Sequence, residues 1–491
     1  MFGGSIGGVW KSPGRWRRGT GRLPGRSEGT VPADPESVSM SPGPALYRCA
    51  PSLLVLFGVP ALPVALEAQE AVLSRPDLVA EVAGRVWGRV ETVSGTVHEG
   101  FIRWDRNEGS WADVLDGHKE LVPEDYLVWN DRTASGEPVP DRVVEYGGYR
   151  ITFPDHLTNF PAAAQSGIRF GHIRRLEVRD ERRATLELKS GRTLDLSARG
   201  TDLGRRVREI LVEEAGGRRV ELTWGDLAAV ELMAAPAGAA PAGQRLHGTV
   251  RDRFGHEYTG FIAWSADKIL DTDRLEGREA GGARREIPFA RISTVERTEA
   301  GARVTLVDGQ SVQLTGPGDV GRGTERILVS EPGLGSVETR WRDVEWVRLH
   351  PPARPLTYHD FDGGRPLVGT VVTQEGHELT GRIRWDADEE YSWELLNGNR
   401  DRVSFQVEFG EIASIERFRG ERVGVRVGAG VSVERERREG ARVTLRDGRE
   451  LELSGSNDVG PNNKGIWVRP DPESEWISVP WEDFKALRLH H

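Results

Sequence analysis

The 491-residue sequence predicts an all-β chain built from three tandem repeats. Two observations support this prediction: a glycine-spaced segment ending in tryptophan occurs three times, and a second set of strand-like segments follows each copy. The first segment reads "GTVHEGFIRW", "GHEYTGFIAW" and "GHELTGRIRW", and it ends at Trp104, Trp264 and Trp385. Equal spacing in all three copies indicates that one β unit was duplicated.

Glycines define each copy as a β-hairpin. One glycine opens a G-x-V strand, a second falls where the chain reverses with positive φ, and a third begins the return strand. The second glycines are Gly95, Gly255 and Gly376. Side chains alternate along a strand, so the isoleucine and tryptophan of the return strand share one face. We therefore predict that these tryptophans lie in the core.

A second segment follows in each repeat, and it reads "IRFGHIRRLEV", "IPFARISTVER" and "VEFGEIASIER". Its spacing predicts a strand, a tight 3₁₀-like turn and another short strand. Each repeat then continues with a hairpin, marked by Asp-Gly at Asp308 and Asp447, and closes on a W-x-D turn. Because the W-x-D turn resembles the earlier turn, we interpret each repeat as a pair of related halves.

Linkers rich in proline, glycine and alanine separate the repeats. The three pairs are predicted at residues 80–233, 245–350 and 366–490. The first carries an insertion at 120–165, and the third carries an extra hairpin at 423–433. Insertions in a repeated scaffold are where individual function tends to arise.

The short strands, glycine turns and 3₁₀-like turn resemble those of the SH3-like and Sm-like small β-barrels. The segment "GTVVTQEGHELTGRIRWD", residues 369–386, is similar to the first strands of an Sm-type motif. The resemblance implies that each repeat is a pair of small barrels. The second copy departs from this motif with Ser265 where an aspartate is expected, and no Arg-Gly nucleotide-binding segment follows. RNA binding is not carried over, because the acidic charge of the chain and the export signal described below both oppose it.

Residues 40–68 are predicted to be a signal peptide. Arg48 precedes the apolar run "PSLLVLFGVPALPVALEA", and a cleavage site is expected after Ala68. Residues 1–39 are either a disordered basic leader or an artefact of a start codon that truly lies at Met40. We therefore expect a secreted or periplasmic protein with no membrane span in the mature chain.

Composition excludes several classes of function. A formal net charge of -10 gives no positive field for nucleic acid. The single cysteine, Cys49, allows neither a disulfide framework nor a CxxC metal cage. No HExxH, GxSxG or Walker sequence occurs in a suitable context, so we predict neither an enzyme nor a bound cofactor.

Two sets of acids recur in register. Asp226, Asp343 and Asp483 belong to the W-x-D turns, and we interpret them as structural. The second set lies within the sequences "TDLG", "GDVG" and "NDVG", and its members are Asp202, Asp319 and Asp458. The oxygen-rich third copy could hold calcium, but an Asx-type turn is the preferred interpretation, and no metal site is predicted.

Aromatic residues outside the repeated positions are the remaining lead. They fall near loops, where exposed rings can stack on sugars or anchor partners. The tryptophans in this group are Trp111, Trp129, Trp346, Trp393, Trp467 and Trp476. The segment "WDADEEYSWELLNG" mixes acids with aromatics, and it gives a candidate binding surface formed by Trp385, Asp386, Tyr391 and Trp393.

These features favour a non-catalytic interaction or adaptor protein of the bacterial envelope, with a protein or glycan as its partner. The alternative is a carbohydrate-binding or cell-wall-binding protein that uses aromatic stacking. A hydrolase with its site in the 120–165 insertion is the third hypothesis.

Overall fold

The computed structural model describes most of the chain after residue 83. The described residues are 84–120, 142–146, 149–153, 163–198, 202–316, 318–321, 326–420, 422–426, 432–436 and 439–490. They belong to one compact unit, Val72–His491. The predicted leader at 1–39 and signal peptide at 40–68 lie outside the described residues, as does Trp129.

The prediction of an all-β chain is confirmed. The described residues form strands and short 3₁₀ turns and no α-helix. In this part of the chain, no helix has the length and apolar character that crossing a membrane requires. The 3₁₀ turns are Phe170–His172, Gly204–Arg206, Trp224–Asp226, Phe289–Arg291, Trp341–Asp343, Tyr358–Asp360 and Phe409–Glu411.

The first module, residues 84–232, contains twelve of the described strands. They are β1 (Trp87–Thr92), β2 (Val97–Trp104), β3 (Val114–Glu120), β4 (Arg142–Tyr146), β5 (Tyr149–Phe153), β6 (Ala163–Arg169), β7 (Ile173–Val178), β8 (Arg183–Leu188), β9 (Thr193–Ser197), β10 (Ile210–Glu214), β11 (Arg219–Leu222) and β12 (Leu227–Leu232). Within the described residues, β4 and β5 pair only with each other. They lie in the predicted insertion.

The second module, residues 245–350, contains ten described strands. They are β13 (His247–Asp252), β14 (Glu257–Trp264), β15 (Arg274–Arg278), β16 (Arg284–Pro288), β17 (Ile292–Arg297), β18 (Gly301–Leu306), β19 (Ser311–Thr315), β20 (Ile327–Glu331), β21 (Gly335–Thr339) and β22 (Val344–Leu349).

The third module, residues 366–490, contains the remaining twelve described strands. They are β23 (Val368–Thr373), β24 (Glu378–Trp385), β25 (Leu395–Arg400), β26 (Val403–Glu408), β27 (Ile412–Phe418), β28 (Arg422–Arg426), β29 (Ser432–Glu436), β30 (Gly440–Leu445), β31 (Glu450–Ser454), β32 (Ile466–Arg469), β33 (Ile477–Val479) and β34 (Phe484–Leu489). The pair β28 and β29 lies where the sequence predicts an extra hairpin.

Ten strands of each module pair in the same antiparallel order. In the first module the order is β11-β10-β2-β1-β12-β7-β8-β9-β3-β6. The second follows β21-β20-β14-β13-β22-β17-β18-β19-β15-β16. The third follows β33-β32-β24-β23-β34-β27-β30-β31-β25-β26.

This strand order contradicts the prediction that each repeat is a pair of small barrels. Strands β1 and β2 from the first half pair with β12 and β10 from the second half, so the two halves are interleaved in one open sheet. The third glycine of each hairpin permits this close pairing. A Cβ added at Gly100 would lie 2.1 Å from the carbonyl oxygen of Glu213.

The second and third modules are joined by pairing of β21 with β26, which makes one twenty-stranded sheet. The first module has its own ten-stranded sheet. The repeated tryptophans are buried in all three modules, with exposed fractions of 2%, 0% and 0% for Trp104, Trp264 and Trp385. Their prediction as core residues is confirmed.

Candidate functional site

A cavity of about 930 Å³ lies where the three modules meet, and it is here called the central cavity. Each module contributes the turn that follows its tryptophan-ended strand or the strands beside that turn. The exposed residues Arg326, Ser404 and Lys464 are part of its lining. The cavity is therefore accessible from solvent.

The lining of the central cavity is strongly acidic. Nine acidic residues face three basic ones: Asp105, Glu108, Asp113, Asp116, Asp202, Glu338, Asp388, Glu389 and Asp458 against Arg208, Arg326 and Lys464. A carboxylate removed from water is costly unless a cation or hydrogen-bond donors stabilise it. The cavity therefore favours a ligand that brings positive charge.

Three of these acids already have a cation partner. The pairs are Asp105–Arg208 at 3.1 Å, Asp113–Arg245 at 3.0 Å and Glu338–Arg326 at 3.4 Å. Glu108, Glu389 and Asp458 have no ion-pair partner among the described residues. The excess negative charge is therefore concentrated at particular places in the first and third modules.

One part of the site is the turn after each core tryptophan. The turn reads "WDRNE", "WSADK" and "WDADE", and its first and last residues form a β-bridge in each module. The two residues after the tryptophan have positive φ in all three copies, for example 41° at Asp105 and 71° at Arg106. The backbone therefore places Glu108, Lys268 and Glu389 at equivalent positions.

The other part of the site is the "TDLG"-type loop. The indole Nε1 of Trp104 donates to the carbonyl oxygen of Asp202 at 2.8 Å, and the carboxylate of Asp202 accepts the backbone N–H of Asp116 at 2.8 Å. In the second module, Asp319 accepts the indole N–H of Trp264 at its carbonyl oxygen and the backbone N–H of Glu276 at its carboxylate. In the third module, Asp458 accepts the indole N–H of Trp385 and the backbone N–H of Asn397 in the same way. Each core tryptophan thus anchors this loop beside its own turn.

In the first module the two parts bring three carboxylates together. Oxygen atoms of Asp105, Glu108 and Asp202 all lie within 4.8 Å of one another, and all three residues are buried. Burial, followed by the negative charge of Asp202, raises the pKa of Glu108 well above its usual range. Oε2 of Glu108 is buried and has no hydrogen-bond partner. This group, here called the first triad, has the donor chemistry of a hard-cation site.

The third module places Asp386, Glu389 and Asp458 at the equivalent positions, and this group is here called the second triad. Burial raises the pKa of Asp386 to about 7. Burial and then the charge of Asp386 raise the pKa of Asp458 to about 8. Oε2 of Glu389 is buried without a hydrogen-bond partner. The same type of residue stands at each position as in the first triad.

The second module has different residues at the positions that form the triads. Ser265 replaces the first acid and Lys268 replaces the glutamate, while Asp319 is retained. The ammonium Nζ of Lys268 lies 3.0 Å from Oδ1 of Asp319. Burial works against the charged lysine, but the hydrogen bond and charge of Asp319 outweigh it, so the pKa of Lys268 is raised. A positive charge built into the chain sits beside the recurrent aspartate.

The structure places most of the predicted binding surface inside the protein. Trp385, Asp386 and Trp393 are at most 1% exposed, and half-buried Tyr391 stacks on Trp393. Arg192 of the first module contacts Tyr391. These aromatics therefore pack between the first and third modules. Of the four, Asp386 belongs to a triad.

The expectation of exposed aromatic platforms is wrong for Trp393 and for three further tryptophans, because neighbouring modules and strands cover them. Trp111, Trp393, Trp467 and Trp476 are buried, and Trp346 is half-buried. The W-x-D acids also stay apart from the cavity lining. Asp226, for example, accepts hydrogen bonds from the backbone N–H and hydroxyl of Thr223.

The sequence interpretation missed Glu108 and Glu389. A signal was present, because "WDRNE" and "WDADE" share an acid at the first and last positions after the tryptophan, and "WSADK" changes both. Asp202, Asp319 and Asp458 were noticed as turn residues, and their carboxylates do accept backbone hydrogen bonds. Only the fold shows that Asp202 also lies close to Asp105 and Glu108.

Comparison of the chain with protein-family models, with curated proteins and with solved structures finds no match.

Proposed function

We propose that the protein is an exported, non-catalytic binding protein whose ligand site is the central cavity and whose ligand carries positive charge. The observation that carries this proposal is the surplus of buried carboxylates in the cavity lining. Bringing a cation to such groups replaces the charge stabilisation that they lose on leaving water. Export rests on the predicted signal peptide at 40–68.

The arrangement of the acids supports binding over catalysis. A carboxylate-based reaction centre needs two acids with different environments and different roles. Here the same set of acids occurs twice, in the first and third modules, at equivalent backbone positions. Duplicate sites of one kind suit the uptake of similar charged groups.

Contacts between modules support a preformed cavity. Asp113 of the first module pairs with buried Arg245 of the second, and Arg169 of the first pairs with Glu408 of the third at 2.6 Å. Lys119 of the first module also contacts Glu394 of the third. A site held in shape before binding loses less conformational entropy when the ligand arrives.

A neutral glycan is the second candidate ligand. The cavity lining includes the amides of Gln165, Asn397, Asn399 and Gln406. Amides and carboxylates together can hydrogen-bond sugar hydroxyl groups. This candidate does not use the aromatic stacking that the sequence suggested, because the tryptophans in question are largely buried.

Calorimetric titration of the full-length protein tests the proposal. We expect saturable binding of Ca²⁺ or spermidine that weakens as salt is raised, and no binding of succinate. Ser404→Arg, which places a cation in the lining, should weaken binding at least tenfold. Ser94→Arg, on an exposed hairpin outside the cavity, is the matched control. Absence of binding for every cation overturns the proposal, and saturable binding of chitotriose alone favours the glycan candidate.

A further inference from the structure

The geometry points to a hard divalent cation of the calcium class at the first triad, Asp105, Glu108 and Asp202. This inference rests on the proposed function and deepens it, since it names the kind of positive charge and the residues that hold it. Four observations lead to it.

The first is the spacing of the oxygens in the first triad. Calcium binds oxygen ligands at about 2.3–2.6 Å, so two oxygens on one ion lie at most about twice that distance apart. The oxygens of the first triad all lie within 4.8 Å of one another. Three carboxylates can therefore reach one ion with little movement. All the donors are oxygens, which favours calcium over softer transition metals.

The second observation is an acceptor without a donor. Glu108 is 4% exposed, and its Oε2 has no hydrogen-bond partner. Its other oxygen accepts from the amide of Asn107. A buried acceptor left unsatisfied costs about 1–3 kcal/mol, and more when it is charged. An ion bound between the three carboxylates would satisfy this oxygen.

The third observation comes from the other contacts of the first triad. Asp105 accepts hydrogen bonds from the backbone and the guanidinium of Arg208. Asp202 accepts the backbone N–H of Asp116. These bonds fix both carboxylates in position. Among the described residues, Glu108 has neither an ion-pair partner nor a donor at Oε2. The cation is therefore needed most at Glu108, which lines the cavity.

The fourth observation is the second module, which serves as an internal comparison. The β-bridges Trp104–Glu108 and Trp264–Lys268 place the glutamate and the lysine at the same backbone position. In the second module the lysine ammonium reaches Asp319, and Ser265 stands where the first module has Asp105. Two of the three acids are lost, and one positive charge is gained. The position thus holds a covalently attached cation in the second module, and we infer a bound cation in the first.

The second triad has the same residue types but not the same spacing. Among the described residues, the first triad is the group whose carboxylate oxygens all lie within 4.8 Å of one another. Glu389 is 5% exposed, and its Oε2 has no hydrogen-bond partner. Asp386 is fixed by the backbone N–H of Lys464 and by the amide of Asn457, which donates at 2.6 Å. Asp458 is fixed by the amide of Asn397 at 3.0 Å. As in the first triad, the glutamate is the member without a donor at one oxygen.

Calcium titration of chelator-treated full-length protein tests this inference. We expect one Ca²⁺ ion to bind per chain at the first triad. Glu108→Lys should abolish this binding. The lysine copies the arrangement of Lys268 with Asp319, so the variant should remain folded without calcium. Glu91→Lys, on an exposed position of β1, makes the same charge change away from the triad and should still bind the ion.

Glu108→Gln is the second variant, because it keeps the shape of the side chain and removes only its charge. It should weaken calcium binding at least tenfold, and it tests the inference even if the lysine variant fails to fold. Unchanged calcium binding in Glu108→Gln overturns the assignment of the first triad. Binding of spermidine without binding of calcium overturns the inference and leaves the proposed function standing. Binding of neither cation overturns both.

Discussion

The first and second modules share one strand order and one buried tryptophan position, but they carry opposite charges at the turn after that tryptophan. Trp104 and Trp264 make the same hydrogen bond to the "TDLG"-type loop. Beside that loop the first module has Glu108, and the second has Lys268 paired with Asp319. Apolar side chains and glycines therefore set the fold in both modules, while the charges at the turns are free to differ.

The two modules also differ at one edge of the sheet. Strand β11 ends the order of the first sheet, and its residue Arg219 is exposed. Charged residues on an edge strand oppose pairing with another strand. The equivalent strand of the second module, β21, begins with Gly335 and pairs with β26 of the third. The difference shows how one strand order can either end a sheet or extend it.

The largest expected effect is a loss of stability on substituting Asp113, compared with Asp273 at the equivalent turn of the second module. Asp113 pairs with Arg245, whose side chain is 0% exposed, whereas Asp273 pairs with Arg103, whose side chain is 12% exposed. Both acids also accept two backbone N–H bonds within their turns. Asp113→Ala leaves a buried guanidinium without its carboxylate and should lower the free energy of unfolding by about 3–5 kcal/mol.

Asp273→Ala loses the same turn bonds but leaves a more exposed arginine, so we expect a loss of about 1–2 kcal/mol. Urea denaturation of the two variants measures the difference. Equal losses would show that the turn bonds, and not the buried ion pair, account for the effect.

The second prediction concerns the edge of the sheet. Gly335 has a φ of 138°, and a Cβ there would lie 2.0 Å from the carbonyl oxygen of Gln406. Gly335→Ala should therefore separate β21 from β26 and lower the free energy of unfolding by about 2–3 kcal/mol. Arg218→Ala, at the equivalent position of the first module, is the control and should change it by less than about 0.5 kcal/mol. Thermal unfolding of both variants checks this, and a similar Tm for both would contradict it.

The third prediction is that substitution by methionine destabilises the second module but not the first. Lys268→Met leaves Asp319, which is 7% exposed, without its ammonium partner and should lower the free energy of unfolding by about 1.5–3 kcal/mol. Glu108→Met in chelator removes a buried carboxylate that has no cation partner, so it should be neutral or stabilising. Chemical denaturation in chelator measures both, and a loss of stability in Glu108→Met would contradict the comparison.

The same pair of modules shows how much of the molecule the sequence could predict. The hairpin reversals depend on local chemistry, and Gly95, Gly255 and Gly376 do have positive φ. The burial of the repeated tryptophans followed from strand alternation. These features could be predicted from the sequence because each one depends on residues only a few positions away along the chain.

Long-range pairing could not be predicted in the same way. Nothing local to Gly100 identifies β10 as the strand that approaches it, so separate barrels were predicted where the halves interleave. The meeting of Glu108 with Asp202 depends on the same long-range pairing. The burial of Trp393 results from contact with the first module, which its own segment does not reveal.

The last prediction is a pH dependence that arises from one histidine of the second module. His247 and Trp87 hold equivalent positions, and each packs edge-on against a phenylalanine, Phe261 or Phe101. Burial lowers the pKa of His247 from 6.5 to about 4, despite the hydrogen bond to the carbonyl oxygen of His350. Because the folded state resists protonation, this contribution to stability is complete above pH 6.5 and is lost as the pH falls from 6.5 towards 4.

His247→Gln removes the titrating group while other acids and bases are unchanged, so the difference between wild type and variant isolates the histidine. We expect the wild type to lose stability relative to the variant as the pH falls below 6.5, by less than about 1.4 kcal/mol per pH unit. Trp87 cannot titrate in this range, so substituting Trp87 should give a difference that does not vary with pH. Denaturation at several pH values between 4 and 8 measures both differences, and a flat curve for His247→Gln would mean that the histidine is already protonated, or remains hydrated, in the folded protein.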